Sequence, residues 1–194
     1  MSSVVQVHRW GNNLSGELSI AIQGGSLPFT IVSDFTDQAY RVTTEASFTC
    51  AEQRTGVLEC AGLNQFGQLG NGQSGSFSST GTPQTVGGGM SLYGVTTGGS
   101  HACALSGPGD AFCWGSGSSG KLGNGGFANA STPRPVAGGL TYRAITAGGE
   151  HTCAIGTDNI IYCWGGNRDG QLGIQGSSVE FTQAEPIRTL PREQ

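Results

Sequence analysis

The feature that most constrains the fold of this chain is an internal repeat with a period of about 50 residues. Residues 95–105 read Val-Thr-Thr-Gly-Gly-Ser-His-Ala-Cys-Ala-Leu, and residues 145–155 repeat this pattern as Ile-Thr-Ala-Gly-Gly-Glu-His-Thr-Cys-Ala-Ile. Residues 42–51 hold a degenerate third copy. We refer to this segment as the first half of the repeat. Self-similarity at such a period indicates a repeat architecture, in which each unit packs against its neighbours.

The second half of the repeat joins a cysteine to a glycine–leucine motif. Residues 113–123 and 163–173 both begin with Cys-Trp-Gly and end with Gly-x-Leu-Gly, and residues 60–70 follow this pattern with alanine in place of tryptophan. A fourth copy at residues 9–18 has Trp10 at the tryptophan position. The chain therefore contains four second halves and three first halves. We predict a single propeller-type domain over 1–194, with repeat units at 1–36 (second half only), 37–88, 89–138 and 139–190.

Within a repeat unit, the local pattern predicts short strands joined by turns. Residues 104–105 and 111–114 are β-prone and flank the turn Ser-Gly-Pro-Gly-Asp at 106–110, which indicates a hairpin. Residues 153–155 and 160–164 flank a second turn of this kind. No stretch has helical periodicity of useful length. Short strands at this period predict an all-β fold of propeller blades, in which each blade buries its faces against its neighbours.

The composition excludes several other fold classes. Glycine accounts for 35 of 194 residues, well above the roughly 7 % of average proteins, but it has no three-residue period and does not indicate collagen. The chain has no long helix-forming stretch and no apolar run near the roughly 20 residues that a transmembrane helix needs. The net charge of −4 provides no basic surface for phosphates. We therefore expect neither a membrane span nor a nucleic-acid partner.

The six cysteines form pairs with a constant spacing of 10 residues. The pairs are Cys50 with Cys60, Cys103 with Cys113, and Cys153 with Cys163. Facing positions of a short hairpin lie within disulfide distance, and the opening half unit, which lacks a first half, has Arg9 at the cysteine position. Cysteine therefore occurs only where a partner exists, which predicts three disulfides within blades. Free buried thiols remain an alternative.

The histidines of the repeat are predicted to be structural. His101 and His151 each stand two residues before a cysteine, and this spacing places the side chains on one face of a strand, as a metal site could use. The remaining full unit has Phe48 at the histidine position, and three ligands are too few for a closed structural zinc site. We therefore expect no metal and no cofactor. Both histidines are interpreted as buried, hydrogen-bonded residues that bridge strands within a blade.

Aromatic residues are expected in two roles. The tryptophans of the second half are interpreted as apolar anchors between blades, whose indole N–H groups need a partner; they are Trp10, Trp114 and Trp164. Three phenylalanines follow the Gly-x-Leu-Gly motif at similar offsets, and aromatic residues at loop tips are typical of binding hot spots. These candidate binding-loop residues are Phe77, Phe127 and Phe181. The alternative is that each ring packs beneath its own blade.

The motifs together resemble a known repeat family. The pattern Gly-Gly-x-His-x-Cys-Ala-Leu at 98–105, followed by Cys-Trp-Gly, Gly-x-Leu-Gly and Pro-x-x-Val at 113–136, is similar to the regulator-of-chromosome-condensation repeat, in the cysteine-paired variant of many bacterial proteins. The resemblance covers about residues 4–190. It implies a β-propeller of four-stranded antiparallel blades, of which this chain would hold about three and a half. The unit at 37–88 departs from the pattern at Glu45, Ala46, Phe48 and Ala61.

Nothing in the sequence indicates an active site. The acidic residues are scattered, and none recurs with a neighbour as a general acid–base pair. Ser100 and His101 are adjacent in the chain, but a catalytic triad is defined by spatial geometry. The glycine-rich segments 70–72 and 87–89 lack the Lys-Ser/Thr and the helix that follow a phosphate loop. We therefore predict that the chain is not an enzyme.

The remaining hypotheses concern binding. The resemblance implies relatives that include exchange factors for small GTPases and a secreted inhibitor of β-lactamases, so we predict a non-catalytic protein–protein interaction module. The first alternative is a structural subunit of an extracellular assembly, such as a filament or a phage virion, and the second is an exchange-factor-like regulator. The partner would be another protein or a second copy of the chain, because an incomplete ring exposes apolar blade faces. Paired cysteines predict an extracellular or particle-surface location, although residues 1–8 carry no secretory signal.

Overall fold

The computed structural model describes residues 7–15, 17–18, 26–32, 39–76, 78–174 and 180–187, with the backbone alone for the first two strands. It contains three four-stranded antiparallel sheets and one two-stranded sheet. No α-helix occurs among these residues, where the only helical elements are two single 3₁₀ turns. The prediction of an all-β fold built from four-stranded blades is confirmed.

The strands follow the repeat in sequence order. The opening half unit forms β1 (Val7–Asn12) and β2 (Ser26–Val32). Blade 1 consists of β3 (Ala39–Glu45), β4 (Phe48–Gln53), β5 (Leu58–Gly62) and β6 (Thr80–Thr85). Blade 2 consists of β7 (Leu92–Thr97), β8 (His101–Ser106), β9 (Ala111–Gly115) and β10 (Ala130–Pro135). Blade 3 consists of β11 (Tyr142–Ala147), β12 (His151–Gly156), β13 (Ile161–Gly166) and β14 (Glu180–Pro186).

Each blade is a meander in which consecutive strands pair with each other. The 3₁₀ turns at Val86–Gly88 and Ser118–Gly120 follow β6 and β9. In blades 1 and 3 the Gly-x-Leu-Gly loop is closed by an asparagine three residues after the tryptophan position, where blade 2 has Gly117. Asn64 Oδ1 accepts a hydrogen bond from the Leu69 N–H at 3.0 Å, and Asn167 Oδ1 accepts one from the Leu172 N–H at 3.1 Å. Asn13 and Leu18 form the same contact at 3.0 Å, so the opening half unit shares this contact with blades 1 and 3.

The central hairpin of each blade holds one disulfide. The second and third strands pair so that the two cysteines face each other directly, which places their Cα atoms 4.1 Å apart in all three blades. The bonded pairs are Cys50–Cys60, Cys103–Cys113 and Cys153–Cys163. The predicted disulfides are therefore confirmed. No free cysteine remains, which contradicts the free-thiol alternative.

The hydrophobic core lies between blades. One cluster joins the Cys50–Cys60 face of blade 1 to Leu92, Val95 and Trp114 of blade 2. A second cluster joins the Cys103–Cys113 face of blade 2 to blade 3, including its Tyr142, Ala154 and Trp164. Each blade thus presents one face to the blade that follows it, which we call its outward face. Burial of apolar surface between successive units stabilises such a stack, because one sheet alone cannot cover both of its faces.

The first strands of successive blades lie next to one another. β7 contacts β3 and β4, and β11 contacts β7 and β8. Threonine hydroxyls join these strands: the Thr43 and Thr97 hydroxyl oxygens are 2.9 Å apart, and the Thr96 hydroxyl accepts the Ala147 N–H at 3.1 Å. We call the exposed surface formed by β3, β7 and β11 the first-strand face.

Candidate protein-interaction surface

The joints between blades are built around tryptophan. The Trp114 and Trp164 side chains are fully buried. The Trp114 indole N–H donates to the Gln68 carbonyl at 3.0 Å, and the Trp164 indole N–H donates to the Lys121 carbonyl at 3.0 Å. Each acceptor belongs to the Gly-x-Leu-Gly motif of the preceding blade. The structure therefore places both tryptophans between blades, whereas the Trp10 side chain lies outside the described part of the chain.

The last glycine of the same motif receives the indole ring. A Cβ atom built on Gly123 would lie 2.6 Å from Trp164 Nε1, and one built on Gly70 would lie 2.8 Å from Trp114 Nε1. Both glycines have a positive φ, at 66° and 68°. The repeated glycine is thus explained by two requirements, a left-handed backbone and direct contact with the ring of the following blade.

His101 lies in the joint between blades 2 and 3, not within one blade. Its Nε2 is 2.8 Å from the Thr152 hydroxyl oxygen, on the second strand of the next blade. The Thr152 hydroxyl donates its single proton to the Lys121 carbonyl at 3.0 Å. Nε2 must therefore carry the histidine proton and donate it to Thr152. The prediction that this ring bridges strands within a blade is wrong, because the facing hydroxyl belongs to the neighbouring blade.

The environment of His101 keeps its ring neutral. The side chain is completely buried, and burial lowers the pKa of His101 to about 3, with smaller contributions from the charges of Lys121 and His151. A Cβ built on Gly98 would lie 2.3 Å from the Cε1 of this ring. The Gly-Gly-x-His motif therefore packs the imidazole directly on a glycine backbone.

His151 has a different environment at the equivalent position of blade 3. Its side chain is partly exposed, and its ring has no hydrogen bond within the described ranges. No described blade follows blade 3, so no threonine corresponding to Thr152 faces this ring. The prediction of a buried, hydrogen-bonded histidine is therefore wrong for His151.

We expect the stability of the protein to fall between pH 7 and pH 5 because of His101. Its pKa of about 3 in the folded state is lower than the 6.5 of an unfolded histidine, so below pH 6.5 the unfolded chain binds a proton that the folded chain does not. The stabilisation is complete above pH 6.5 and is lost as the pH falls toward 3. Denaturant unfolding should show a decrease of about 2 kcal/mol between pH 7 and pH 5 from this residue.

Blade 1 supplies the control for this prediction. Its Phe48 occupies the position of His101 and is fully buried, and Ala102 of blade 2 occupies the position of Thr152. The double variant His101→Phe/Thr152→Ala therefore copies an apolar joint that the chain already contains. Its stability should depend less steeply on pH than that of the unmodified protein. An identical pH dependence would show that His101 does not titrate as its environment indicates.

The same joint contains a buried cation. Lys121, the only lysine of the chain, has a side chain that is 1 % exposed. Its ammonium group donates to both carboxylate oxygens of Glu150 at 2.9 Å and to the Ser100 hydroxyl at 3.2 Å. Glu150 belongs to the next blade, so this ion pair provides a further polar contact across the joint.

The first-strand face contains a polar cavity of about 210 Å³. Tyr40, Tyr93 and Arg143 occupy equivalent positions on β3, β7 and β11, and all three side chains are exposed. Tyr40, Tyr93, Arg143 and the adjacent Arg41 line the cavity, together with Glu52. Three blades thus contribute aromatic and cationic side chains to a common recess.

Glu52 lies at the base of this cavity and is 1 % exposed. The Tyr40 hydroxyl donates to its Oε1, and the Gly94 N–H donates to its Oε2 at 2.9 Å. The hydrogen bond to Glu52, with burial and the Glu52 charge as further causes, raises the pKa of Tyr40 to about 12. Glu52 was not among the site residues predicted from the sequence. An acidic residue at this position is unusual within the repeat, because blades 2 and 3 have the apolar residues Leu105 and Ile155 there.

The three candidate loop phenylalanines have different environments. Phe127 is 54 % exposed in the loop before β10. Phe181 lies on β14, where it pairs with Gly165 and is partly buried, so the prediction that it stands at a loop tip is wrong. Phe77 falls outside the described residues.

Among the residues that the structure describes, the outward face of blade 3 is open. Ile155 and Ile161 occupy the positions of Leu105 and Ala111, which are buried under blade 3. Ile161 is 46 % exposed, and this face contains an apolar recess of about 370 Å³. Gly173 is the glycine of blade 3 that corresponds to Gly70 and Gly123, which contact an indole ring. Within the described chain no indole lies against Gly173, since a Cβ built there would have only Ile187 atoms within 4 Å.

The described residues contain no group of three or more His, Cys, Asp or Glu side chains placed to hold a metal ion. Among the same residues there is no helix long and apolar enough to cross a bilayer.

Repeated four-stranded blades, joined face to face by buried tryptophans, define a β-propeller repeat protein. Residues 108–155 match the sequence model of the regulator of chromosome condensation (RCC1) repeat, and residues 142–171 match a second model of the same description. Residues 108–171 therefore contain RCC1-type repeats, and the described residues form a partial propeller of about three blades.

Solved structures share this fold. Human WBSCR16 is 24 % identical over 92 % of this chain and 46 % of its own, with a TM-score of 0.77. Yeast RCC1 (Prp20), crystallised bound to Kap60, is 18 % identical over 95 % of this chain and 45 % of its own, with a TM-score of 0.79. Prp20p from Saccharomyces cerevisiae, described with its binding to Gsp1p and histones, gives the same identity and TM-score. The chain spans about half the length of these structures.

Proposed function

We propose that the chain is a non-catalytic protein-interaction module that acts outside the cytosol, at a cell exterior or on a particle surface. The RCC1-type propeller fold supports a role in protein binding. Three disulfides support an oxidising location, because reducing compartments keep most thiols free. The observation that carries the interaction role is the open outward face of blade 3.

The occupant that best fits this face is a second copy of the chain. At both described joints, an outward face receives a strand whose tryptophan donates to a Gly-x-Leu-Gly carbonyl. Blade 3 presents the same motif at 170–173, and the opening half unit has Trp10 at the tryptophan position in the sequence. Head-to-tail docking of two copies would therefore extend an interface that the chain already uses twice. Exposed apolar faces of this kind are typical of protein contact sites.

Light scattering with matched variants tests this proposal. The protein should have a mass above that of one 19.8 kDa chain at micromolar concentration. Ile161→Glu should reduce the mass to that of one chain, because it places a carboxylate in the apolar recess. Ile160→Glu is the control, since Ile160 is 43 % exposed but does not line the recess. A single-chain mass for the unmodified protein would contradict the proposal.

The same contact favours a second candidate function, a structural subunit of an extracellular assembly. A head-to-tail interface produces a closed ring when its rotation closes and a filament when it does not. Negative-stain microscopy distinguishes the two outcomes. Small particles of uniform size support the interaction module, whereas long regular filaments that disappear in Ile161→Glu support the structural subunit.

A further inference from the structure

We infer that the cavity of the first-strand face binds a carboxylate group of an acidic protein segment, held between Arg41 and Arg143. This inference rests on the proposed protein-interaction role. The cavity adjoins the recess on the outward face of blade 3 at Ala144 and Ile145, but Arg41 and Arg143 do not line that recess. The two arginines come from blades 1 and 3, and both line the cavity with exposed side chains. A site formed by three blades can exist only when the blades are stacked.

Both guanidinium groups are available to a ligand. Within the described residues the only ion pair is that between Lys121 and Glu150, so neither Arg41 nor Arg143 has an acidic partner among those residues. A guanidinium group presents several N–H donors in a fixed plane, which match the two oxygens of a carboxylate. Two such groups in one cavity favour an anionic ligand over a neutral one.

Glu52 does not neutralise these arginines through direct contact. Its two oxygens accept hydrogen bonds from the Tyr40 hydroxyl and the Gly94 N–H, on blades 1 and 2. A carboxylate at a position where the other blades have Leu105 and Ile155 is costly to bury unless it has partners. Here these hydrogen bonds hold the Tyr40 ring and the β7 backbone at the wall of the cavity. We therefore assign Glu52 as a positioning residue of the site.

The charges around the cavity also favour an acidic ligand. Arg41 and Arg54 lie close enough to Tyr40 to lower its pKa, against the stronger effect of Glu52. Three arginines thus stand on or beside the first-strand face of a chain whose net charge is −4. Tyr40 and Tyr93 provide exposed aromatic surface next to these cations, a combination enriched in protein-binding hot spots. The two arginines would repel a cationic ligand.

Fluorescence polarisation with a defined peptide tests the assignment. The probe is a fluorescein-labelled dodecapeptide of alternating glutamate and glycine, and the neutral control replaces glutamate by glutamine. The glutamate peptide should bind more tightly, and its binding should weaken as salt is raised because the charges are exposed. Arg41→Gln/Arg143→Gln should weaken binding at least about tenfold, since each arginine supplies charge-assisted hydrogen bonds. Glu52→Gln should weaken binding less than the double arginine variant does. Intact disulfides in the Glu52→Gln protein would show that it is still folded.

A matched variant controls for total charge. Arg134→Gln/Arg168→Gln removes two exposed arginines from other surfaces and should leave the affinity within about twofold. Equal binding of the glutamate and glutamine peptides, or equal loss in both double variants, would overturn the inference. Tighter binding of an oligothymidylate at the same arginines would also overturn it, because the site would then prefer phosphate.

The outcome can be separated from that of the proposed function. Arg41→Gln/Arg143→Gln leaves Ile161 and the recess of blade 3 unchanged, so its mass in light scattering should equal that of the unmodified protein. If peptide binding fails while self-association persists, only the carboxylate site is wrong. If self-association fails while the peptide binds, the docking proposal is wrong and the carboxylate site stands.

Discussion

Reduction of the three disulfides is expected to unfold the protein. Each bond joins cysteines separated by 10 residues, and closing a loop of this size stabilises a folded chain by about 2–3 kcal/mol. The three together contribute about 8 kcal/mol, which is comparable to the whole stability of a typical domain, about 5–15 kcal/mol. The three disulfides lie in hairpins whose outward sides form the joints between blades or the open face of blade 3. Breaking these bonds therefore also weakens the packing between blades.

Denaturant unfolding followed by tryptophan fluorescence measures this effect. The oxidised protein should unfold cooperatively, whereas the protein kept in excess dithiothreitol should already have an exposed tryptophan spectrum in buffer. Cys103→Ala/Cys113→Ala is the single-bond control and should cost about 2–3 kcal/mol for the loop plus a contribution from lost packing. Equal unfolding midpoints with and without reductant would show that the inter-blade core alone holds the fold.

The features that could be predicted from the sequence depend on local geometry. Facing positions of a hairpin follow from strand alternation and turn length, so Cys153 and Cys163 could be paired from their spacing. The repeated tryptophan indicated a buried apolar anchor, since a large ring recurring at one repeat position must pack against the repeating surface. These inferences need only the period of the repeat and the periodicity of a strand.

The features that could not be predicted depend on which blade faces a given side chain. His101 has the same sequence context as His151, yet only His101 meets a hydroxyl of the following blade. Phe181 was predicted to lie in a loop because the segment between the Gly-x-Leu-Gly motif and the fourth strand differs in length between units. It lies on β14 instead, where it pairs with Gly165 of β13. To predict Glu52 as a site residue, one would have to align the repeat units and expect that an acid at an apolar repeat position has hydrogen-bond partners.

Gly123→Ala is expected to destabilise the protein by about 3–4 kcal/mol, because the methyl group meets two obstacles. The backbone at this position has φ +66°, which costs a residue with a Cβ about 1–2 kcal/mol. The Cβ would also lie 2.6 Å from Trp164 Nε1 and 2.8 Å from Cδ1, so the ring must move. Overpacking of this kind costs about 1–3 kcal/mol, and the ring would lose its hydrogen bond to the Lys121 carbonyl.

Gly139→Ala separates the two contributions. Gly139 has nearly the same φ, +65°, but no atom lies within 4 Å of a Cβ built on it, so only the backbone cost of about 1–2 kcal/mol applies. Chemical denaturation of both variants should therefore show a difference of about 1–3 kcal/mol, the cost of overpacking against the ring. The Trp164 fluorescence should shift in Gly123→Ala and stay unchanged in Gly139→Ala. Equal destabilisation by both substitutions would show that the glycine is required only for its backbone conformation, and that the tryptophan joint tolerates a methyl group.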